Sequence, residues 1–185
     1  KRMIVMDDIY DEFVSELTSL AEGMRPGGPG DDYETTYTPL SSKEAADRLD
    51  AQVQQAVKDG ATLRAGGTRG DGAYYAPTVI TDVTSDMEAY REELFGPVAV
   101  VYKVSSDEEA LTLANDTDFG LGGAVFSKDK ARAEKIAQQL DVGMSNVNTP
   151  AGEGAEVPFG GVKRSGFGRE LGPLGMDEFV NKRMY

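Results

Sequence analysis

Apolar and polar positions along the chain switch repeatedly between two periods. The run Met3-Ile4-Val5-Met6 is continuous and apolar and reads as a short buried strand. After it, Ile9, Phe13, Leu17 and Leu20 recur at helical spacing, between a capping Asp8 and Gly23. Residues 25–32 hold Pro26, Gly27, Gly28, Pro29 and Gly30 and read as a loop. Ser41 with Glu44 forms a capping box for a helix that aligns Ala45, Leu49, Val53, Ala56 and Val57 and stops at Gly60. A strand follows at 62–65. A second, at 74–83, is interrupted by Pro77, which predicts an edge position or a bulge. The run 98–104 is the most apolar and fits a strand covered on both faces. Ser106 and Glu109 open another helix, bearing Ala110, Leu111 and Ala114. Then come a strand at 124–126, a helix capped by Ser127 and bearing Ala133, Ile136, Ala137 and Leu140, and a strand at 144–148. Residues 149–172 carry little regular pattern, 173–180 read as a short helix, and 181–185 as the start of a last strand. Strands alternating with helices through short turns predict parallel pairing and right-handed crossovers. The expected fold class is α/β, a three-layer α/β/α sandwich with a mostly parallel sheet.

Composition narrows the chemistry. The chain has 185 residues, 39% of them hydrophobic, and a net charge of −13. That supports a folded core and disfavours nucleic acid or an anionic membrane as partner. No apolar run is long enough to span a bilayer. The expected location is the cytoplasm. Cysteine and histidine are both absent. Their absence excludes disulfides, thiolate nucleophiles, Ser-His-Asp triads and thiolate or imidazole metal sites made from these residues. The chain opens with Lys1 and runs at once into a strand, so it is expected to be a piece of a longer protein, and any catalytic group upstream would not be seen in it.

Three stretches could carry chemistry. Glu92-Glu93-Leu94-Phe95-Gly96-Pro97 lies directly before the most apolar strand. A carboxylate there offers two acceptors to the vicinal hydroxyls of a ribose, and Phe95 offers a flat apolar face to a cofactor ring. The structural alternative is a solvated acidic turn with Phe95 in the core. The second stretch, Pro158-Phe159-Gly160-Gly161-Val162-Lys163-Arg164-Ser165-Gly166-Phe167-Gly168-Arg169-Glu170, is a basic, glycine-rich island in an acidic chain. It admits phosphate binding through backbone N–H groups and cations. It also admits an irregular segment whose cations pair with nearby acids. It matches neither the phosphate-loop nor the dinucleotide fingerprint. The third, Asn148-Thr149-Pro150, closes a strand at an edge where ligands commonly bind. The acids Asp86, Glu88, Glu92 and Glu93 have no spacing that demands a metal.

Taken together and in order, these motifs resemble the aldehyde dehydrogenase superfamily. The residues that carry the resemblance are Glu92 to Pro97, Leu113-Ala114-Asn115-Asp116-Thr117 with Phe119-Gly120-Leu121, Gly143-Met144, Asn148 and Pro158 to Gly166. Tyr75 with Pro77-Thr78-Val79 and Lys1-Arg2 at the head of a strand also fit. The tail from Gly166 to Gly172 and from Gly175 to Lys182 is most similar to bacterial succinate-semialdehyde dehydrogenases, in the branch carrying Arg-Glu-Leu. The resemblance implies a catalytic domain over 1–180 and the start of an oligomerisation strand at 181–185. It implies oxidation of an aldehyde, succinate semialdehyde in this branch, with NAD or NADP, through a cysteine thiohemiacetal and a thioester. The cysteine would stand a few residues before Lys1, with the general base and oxyanion-hole groups further upstream, so this chain alone is expected to be inactive.

Carried over residue by residue, Glu93 matches the ribose-binding position and Phe95 the ring beside the nicotinamide. Asn148 and Glu153 fall in the loop that shapes the aldehyde pocket. Glu153 replaces a serine common in this branch, and its carboxylate would repel a carboxylated aldehyde. The run Met144-Ser145-Asn146-Val147 is also more polar than the family strand. The implied partners are a small aldehyde and further copies of the chain, as a dimer or tetramer, with no nucleic acid, membrane or metal. A non-enzymatic binding or assembly domain on the same scaffold is the alternative. Single-strand nucleic acid binding by the 163–169 loop stands third and requires steep salt dependence.

Overall fold

The apolar run at the head of the chain forms strand β1 (Arg2–Met6), which passes directly into helix α1 (Asp7–Gly23). The computed structural model describes residues 2–152 and 154–185; Lys1 and Glu153 lie outside the described residues. Two units emerge, Lys1–Ser106 and Asp107–Tyr185.

In the first unit, β2 (Arg25–Pro26), β3 (Thr36–Tyr37), α2 (Lys43–Asp59), β4 (Thr62–Ala65), β5 (Thr78–Thr81), α3 (Glu88–Arg91) and β6 (Val98–Val104) follow α1. The sheet order is β1-β6-β5-β4. The pairs β1–β6 and β5–β6 are parallel, while β4 runs antiparallel to β5 with a register shift between Leu63 and Ala65. Of the two alternatives raised by Pro77, an edge or a bulge, the edge is corrected: β5 starts at Thr78 and is an interior strand, and the irregularity in its pairing falls on β4 between Leu63 and Ala65. The proline precedes the ladder, so its missing N–H costs no strand bond. Side chains alternate across the sheet. Val5, Val79 and Val101 share one face with Tyr10 and Val14 of α1, and Met3, Phe13 and Leu17 extend that cluster. Ile80, Val98, Val100, Tyr102 and Val104 take the opposite parity and are also buried. Tyr90 of α3 meets Tyr102 edge-on there, at 5.9 Å between ring centres.

Helix ends follow local chemistry, with small shifts from expectation. Asp8 lies inside α1 rather than capping it; Met6 holds the cap position, and Asp7 and Asp8 complement the dipole in the first turn. Helix α2 is capped by Ser42, one residue later than expected, through a bond from the Ala45 N–H at 3.1 Å. Leu49, Val53 and Ala56 form its buried stripe, and Gly60 ends it at φ 118°. The loop predicted over 25–32 folds back, with β2 and β3 pairing in parallel.

The second unit contains α4 (Asp107–Asn115), β7 (Phe119–Gly120), β8 (Gly122–Val125), α5 (Lys130–Ala137), β9 (Met144–Val147), β10 (Val162–Lys163) and α6 (Gly172–Asp177). Strands β8 and β9 pair in parallel from Gly122–Met144 to Val125–Val147. Helix α5 buries Ala133 and Ala137, and its cap is Asp129 rather than Ser127. Strands β7 and β10 are antiparallel. Residues 181–185 contain neither helix nor strand. Among the described residues, no helix is long and apolar enough to cross a membrane.

Candidate functional site

In the first unit, the single turn of α3 ends at Glu92, and the chain reaches β6 through residues 93–97. Leu94 is 5% exposed and anchors this passage, while Phe95 is 76% exposed. Phe95 therefore does not join the core, contrary to the structural alternative. Gly96 allows the close approach: a Cβ there would stand 2.3 Å from the Leu49 side chain of α2. Glu92 and Glu93 are both exposed. Gln52 of α2 donates from Nε2 to the Glu92 carboxylate at 2.9 Å and to the Glu93 carbonyl at 3.5 Å. The Glu93 carboxylate has no hydrogen-bond partner among the described residues.

The turn is braced from β1 as well. The Arg2 guanidinium donates to the Tyr90 carbonyl at 2.7 Å and lies 4.4 Å from the centre of that ring. Burial pushes the nearby Tyr102 hydroxyl up to about 12, against the opposing pull of Arg2. Tyr75, another motif residue, is fully buried and donates to Asp50 at 3.4 Å. Burial also raises its pKa, so it is a core group and stays protonated.

In the second unit, Asn148 takes φ +56° directly after β9. Asparagine tolerates this left-handed conformation better than most residues. Both ends of its amide are used: Oδ1 accepts from the Ser127 N–H at 2.8 Å, and Nδ2 donates to the Ser127 carbonyl at 2.9 Å. The structure thus places Asn148 as the clip that starts the 149–157 loop. Glu153, the other residue assigned to that loop, lies outside the described residues.

The basic island resolves toward structure. Lys163 donates to the Asn115 and Thr117 carbonyls at 3.0 and 3.2 Å and pairs with Asp141 at 3.5 Å. It therefore adds a second donor to the Asn115 carbonyl, which also accepts from the Thr117 N–H at 2.8 Å, and caps the chain just past the end of α4, where a cation is favourable. Arg169 donates to the Gly161 and Gly168 carbonyls at 2.9 and 2.7 Å. Arg164 pairs with Asp118 at 3.5 Å, and Ser165 accepts from the Gly120 N–H at 3.0 Å. Phe159 and Glu170 exchange backbone bonds at 2.8 and 2.7 Å. Gly143 and Gly160 touch so closely that a Cβ on Gly143 would lie 2.0 Å from the Gly160 carbonyl oxygen.

Two residues that the sequence reading left without a role are Gln52 and Asn115. Asn115 donates to the Gln139 carbonyl at 2.9 Å and accepts from the Asp141 N–H at 2.8 Å, tying the end of α4 to the turn after α5. The available signal was its position, an amide at a helix end. Gln52 carried none, because its partner lies 40 residues away. Among the described residues, no cluster of acids could hold a metal.

The aldehyde dehydrogenase family model matches residues 1–185. The chain belongs to the aldehyde dehydrogenase family. It is 56% identical to a succinate-semialdehyde dehydrogenase [NADP(+)] of Deinococcus radiodurans, over 100% of this chain and 39% of that protein. A Mycobacterium avium enzyme of the same name is 42% identical, over 99% of the chain and 39% of its own length. The chain thus spans about 40% of the length of the curated relatives it matches. Among solved structures, succinic semialdehyde dehydrogenase of Streptococcus pyogenes with NADP+ aligns at a TM-score of 0.93 and 42% identity, covering 100% of this chain and 41% of that one. Betaine aldehyde dehydrogenase of Staphylococcus aureus with NAD+ aligns at 0.90 and 38%, covering 96% and 36%. The fold class expected from the strand–helix alternation is that of these dehydrogenases. NAD and NADP are the cofactors the two enzymes hold.

Proposed function

We propose that the protein carrying this chain oxidises a short aldehyde, succinate semialdehyde, to its carboxylic acid with NAD(P)+. The observation that carries this reading is the turn at 92–96: a fixed backbone presenting one carboxylate without a partner and one exposed aromatic ring. The donor chemistry fits the cofactor. Glu93 would accept two hydrogen bonds from vicinal ribose hydroxyls, and Phe95 would lie along the nicotinamide side and exclude water from it. When bound, the cofactor supplies a hydride acceptor. The nucleophile in this reading is a cysteine upstream of Lys1, since a thiolate both adds to a carbonyl and leaves a thioester readily. The chain alone is then inactive. Asn148 holds the start of the loop that shapes the aldehyde pocket, and Glu153 within it tunes tolerance for a charged substrate. The segment from Asn181 begins the contact with further subunits, in a cytoplasmic dimer or tetramer. The succinate-semialdehyde names of the relatives support the substrate assignment.

The test is NAD(P)+ reduction by the full-length protein with succinate semialdehyde and with an uncharged aldehyde of similar length. Turnover is expected, with Glu93→Gln raising the cofactor KM about ten- to hundredfold, the range for losing hydrogen bonds to a charged group. Turnover of the uncharged aldehyde alone would reject the substrate and make Glu153 the discriminating residue. No turnover of either would reject the enzymatic reading and favour a binding or assembly scaffold.

A further inference from the structure

The geometry points to Gln52 as a positioning residue for the cofactor, acting through Glu92 and not by contact with the cofactor itself. This inference rests on the reading of Glu93 as the ribose ligand. The turn presents two consecutive exposed carboxylates. Like charges this close repel, and a four-residue helix ahead of them constrains little. A loose turn would let either carboxylate take either position. The Gln52 amide removes that ambiguity. Its Nε2 bridges the Glu92 carboxylate at 2.9 Å and the Glu93 carbonyl at 3.5 Å, so one side chain engages both residues. The base of the bridge is firm: Leu49 and Val53, on either side of Gln52 in α2, are 1% and 0% exposed. Leu49 also fills the space that Gly96 leaves open. Helix α2 therefore sets the turn at two points, one apolar and one polar. Glu92 is occupied by the latch, and Glu93 is the carboxylate left for the cofactor.

The test uses the full-length enzyme with four variants: Gln52→Ala, Glu92→Ala, the double variant and Glu93→Gln. The readouts are cofactor KM, kcat and thermal midpoint. Gln52→Ala is expected to raise the cofactor KM about three- to tenfold, the scale of one exposed, charge-assisted hydrogen bond. Its kcat and midpoint should stay unchanged, because residue 52 lies on the helix surface side of the buried stripe. Glu92→Ala should match it, and the double variant should be no worse than either single. Gln52→Lys, which keeps an attraction to Glu92, should restore the KM. An unchanged KM in Gln52→Ala beside a raised KM in Glu93→Gln overturns the inference and leaves the cofactor reading intact. Multiplying effects in the double variant overturn the route through Glu92. An unchanged KM in Glu93→Gln overturns the cofactor reading first and this inference with it.

Discussion

Two regions of this molecule look alike in sequence and differ in what they do with their charges. The turn at 92–97 and the island at 158–170 both join charged residues to phenylalanine and glycine. In the turn, the chain buries Leu94 and sends Glu93 and Phe95 outward, with Phe95 76% exposed. In the island, the cations return to the chain's own carbonyls: Lys163 to Asn115 and Thr117, Arg169 to Gly161 and Gly168. A charged motif is open to a ligand where its bonding capacity is left over, and structural where it is consumed. Glycine divides the same way. Gly96 makes room for a single side chain, whereas Gly143 and Gly160 let two backbones touch.

The sharpest way to break this contrast is a methyl group pressed against the island from Gly143. Gly143→Ala places a Cβ 2.0 Å from the Gly160 oxygen, and backbone cannot rotate aside as a side chain can. The expected cost is more than about 3 kcal/mol, read as a large fall in thermal midpoint. Phe95→Ala, its counterpart in the turn, should leave the midpoint unchanged and raise the cofactor KM, since that ring is already in solvent. A midpoint loss in Phe95→Ala with none in Gly143→Ala would reverse the assignment of the two regions.

Removing the principal cation of the island comes next in size. Lys163→Met keeps the stem and deletes the ammonium, leaving the Thr117 carbonyl and Asp141 without it, while the Asn115 carbonyl keeps the Thr117 N–H. About 1–3 kcal/mol is expected, the range for stranding such groups, with cofactor KM unchanged. A lower affinity for NADP+ or inorganic phosphate at constant midpoint would instead make the island an anion site.

How much of this was legible beforehand follows from the range of each interaction. Strand β6 was readable to the residue, because the run from Val98 to Val104 is apolar with a single break at the exposed Lys103. The helix caps were off by one or two residues, as serines and aspartates cluster and compete for the same N–H groups: Ser42 for Ser41, and Asp129 for Ser127. The interior place of β5 was hidden by Pro77, whose position just ahead of the ladder no local pattern specifies. At the candidate site, the motif picks out Glu93 and Phe95, and both are exposed rather than in the core. Asn148 was named for a substrate, but its amide is engaged by the Ser127 backbone, a pairing across 21 residues that one sequence does not display. Gln52 escaped for the same reason.

The smallest effect concerns a charge pair that lies between the two extremes. Asp107, in the first turn of α4, receives Arg132 of α5 through Nε at 2.9 Å and through the terminal nitrogen at 2.5 Å. Those hydrogen bonds, ahead of the general attraction of the cation, hold the Asp107 carboxyl below the usual carboxylate range. A depressed folded value means that the stabilisation is fully present above the unfolded value and disappears as pH falls through the depressed one. Both side chains are substantially exposed, at 45% for Arg132 and 35% for Asp107, so screening limits the pair. Asp107→Asn should therefore cost about 0.5–1 kcal/mol at neutral pH, and the difference from the unaltered protein should shrink as pH falls through the depressed Asp107 value. Thermal midpoints measured across that range decide the matter. A gap that persists in acid would show that the Asp107 side chain acts through packing or neutral hydrogen bonds, and would remove charge from the structural side of the comparison at this position.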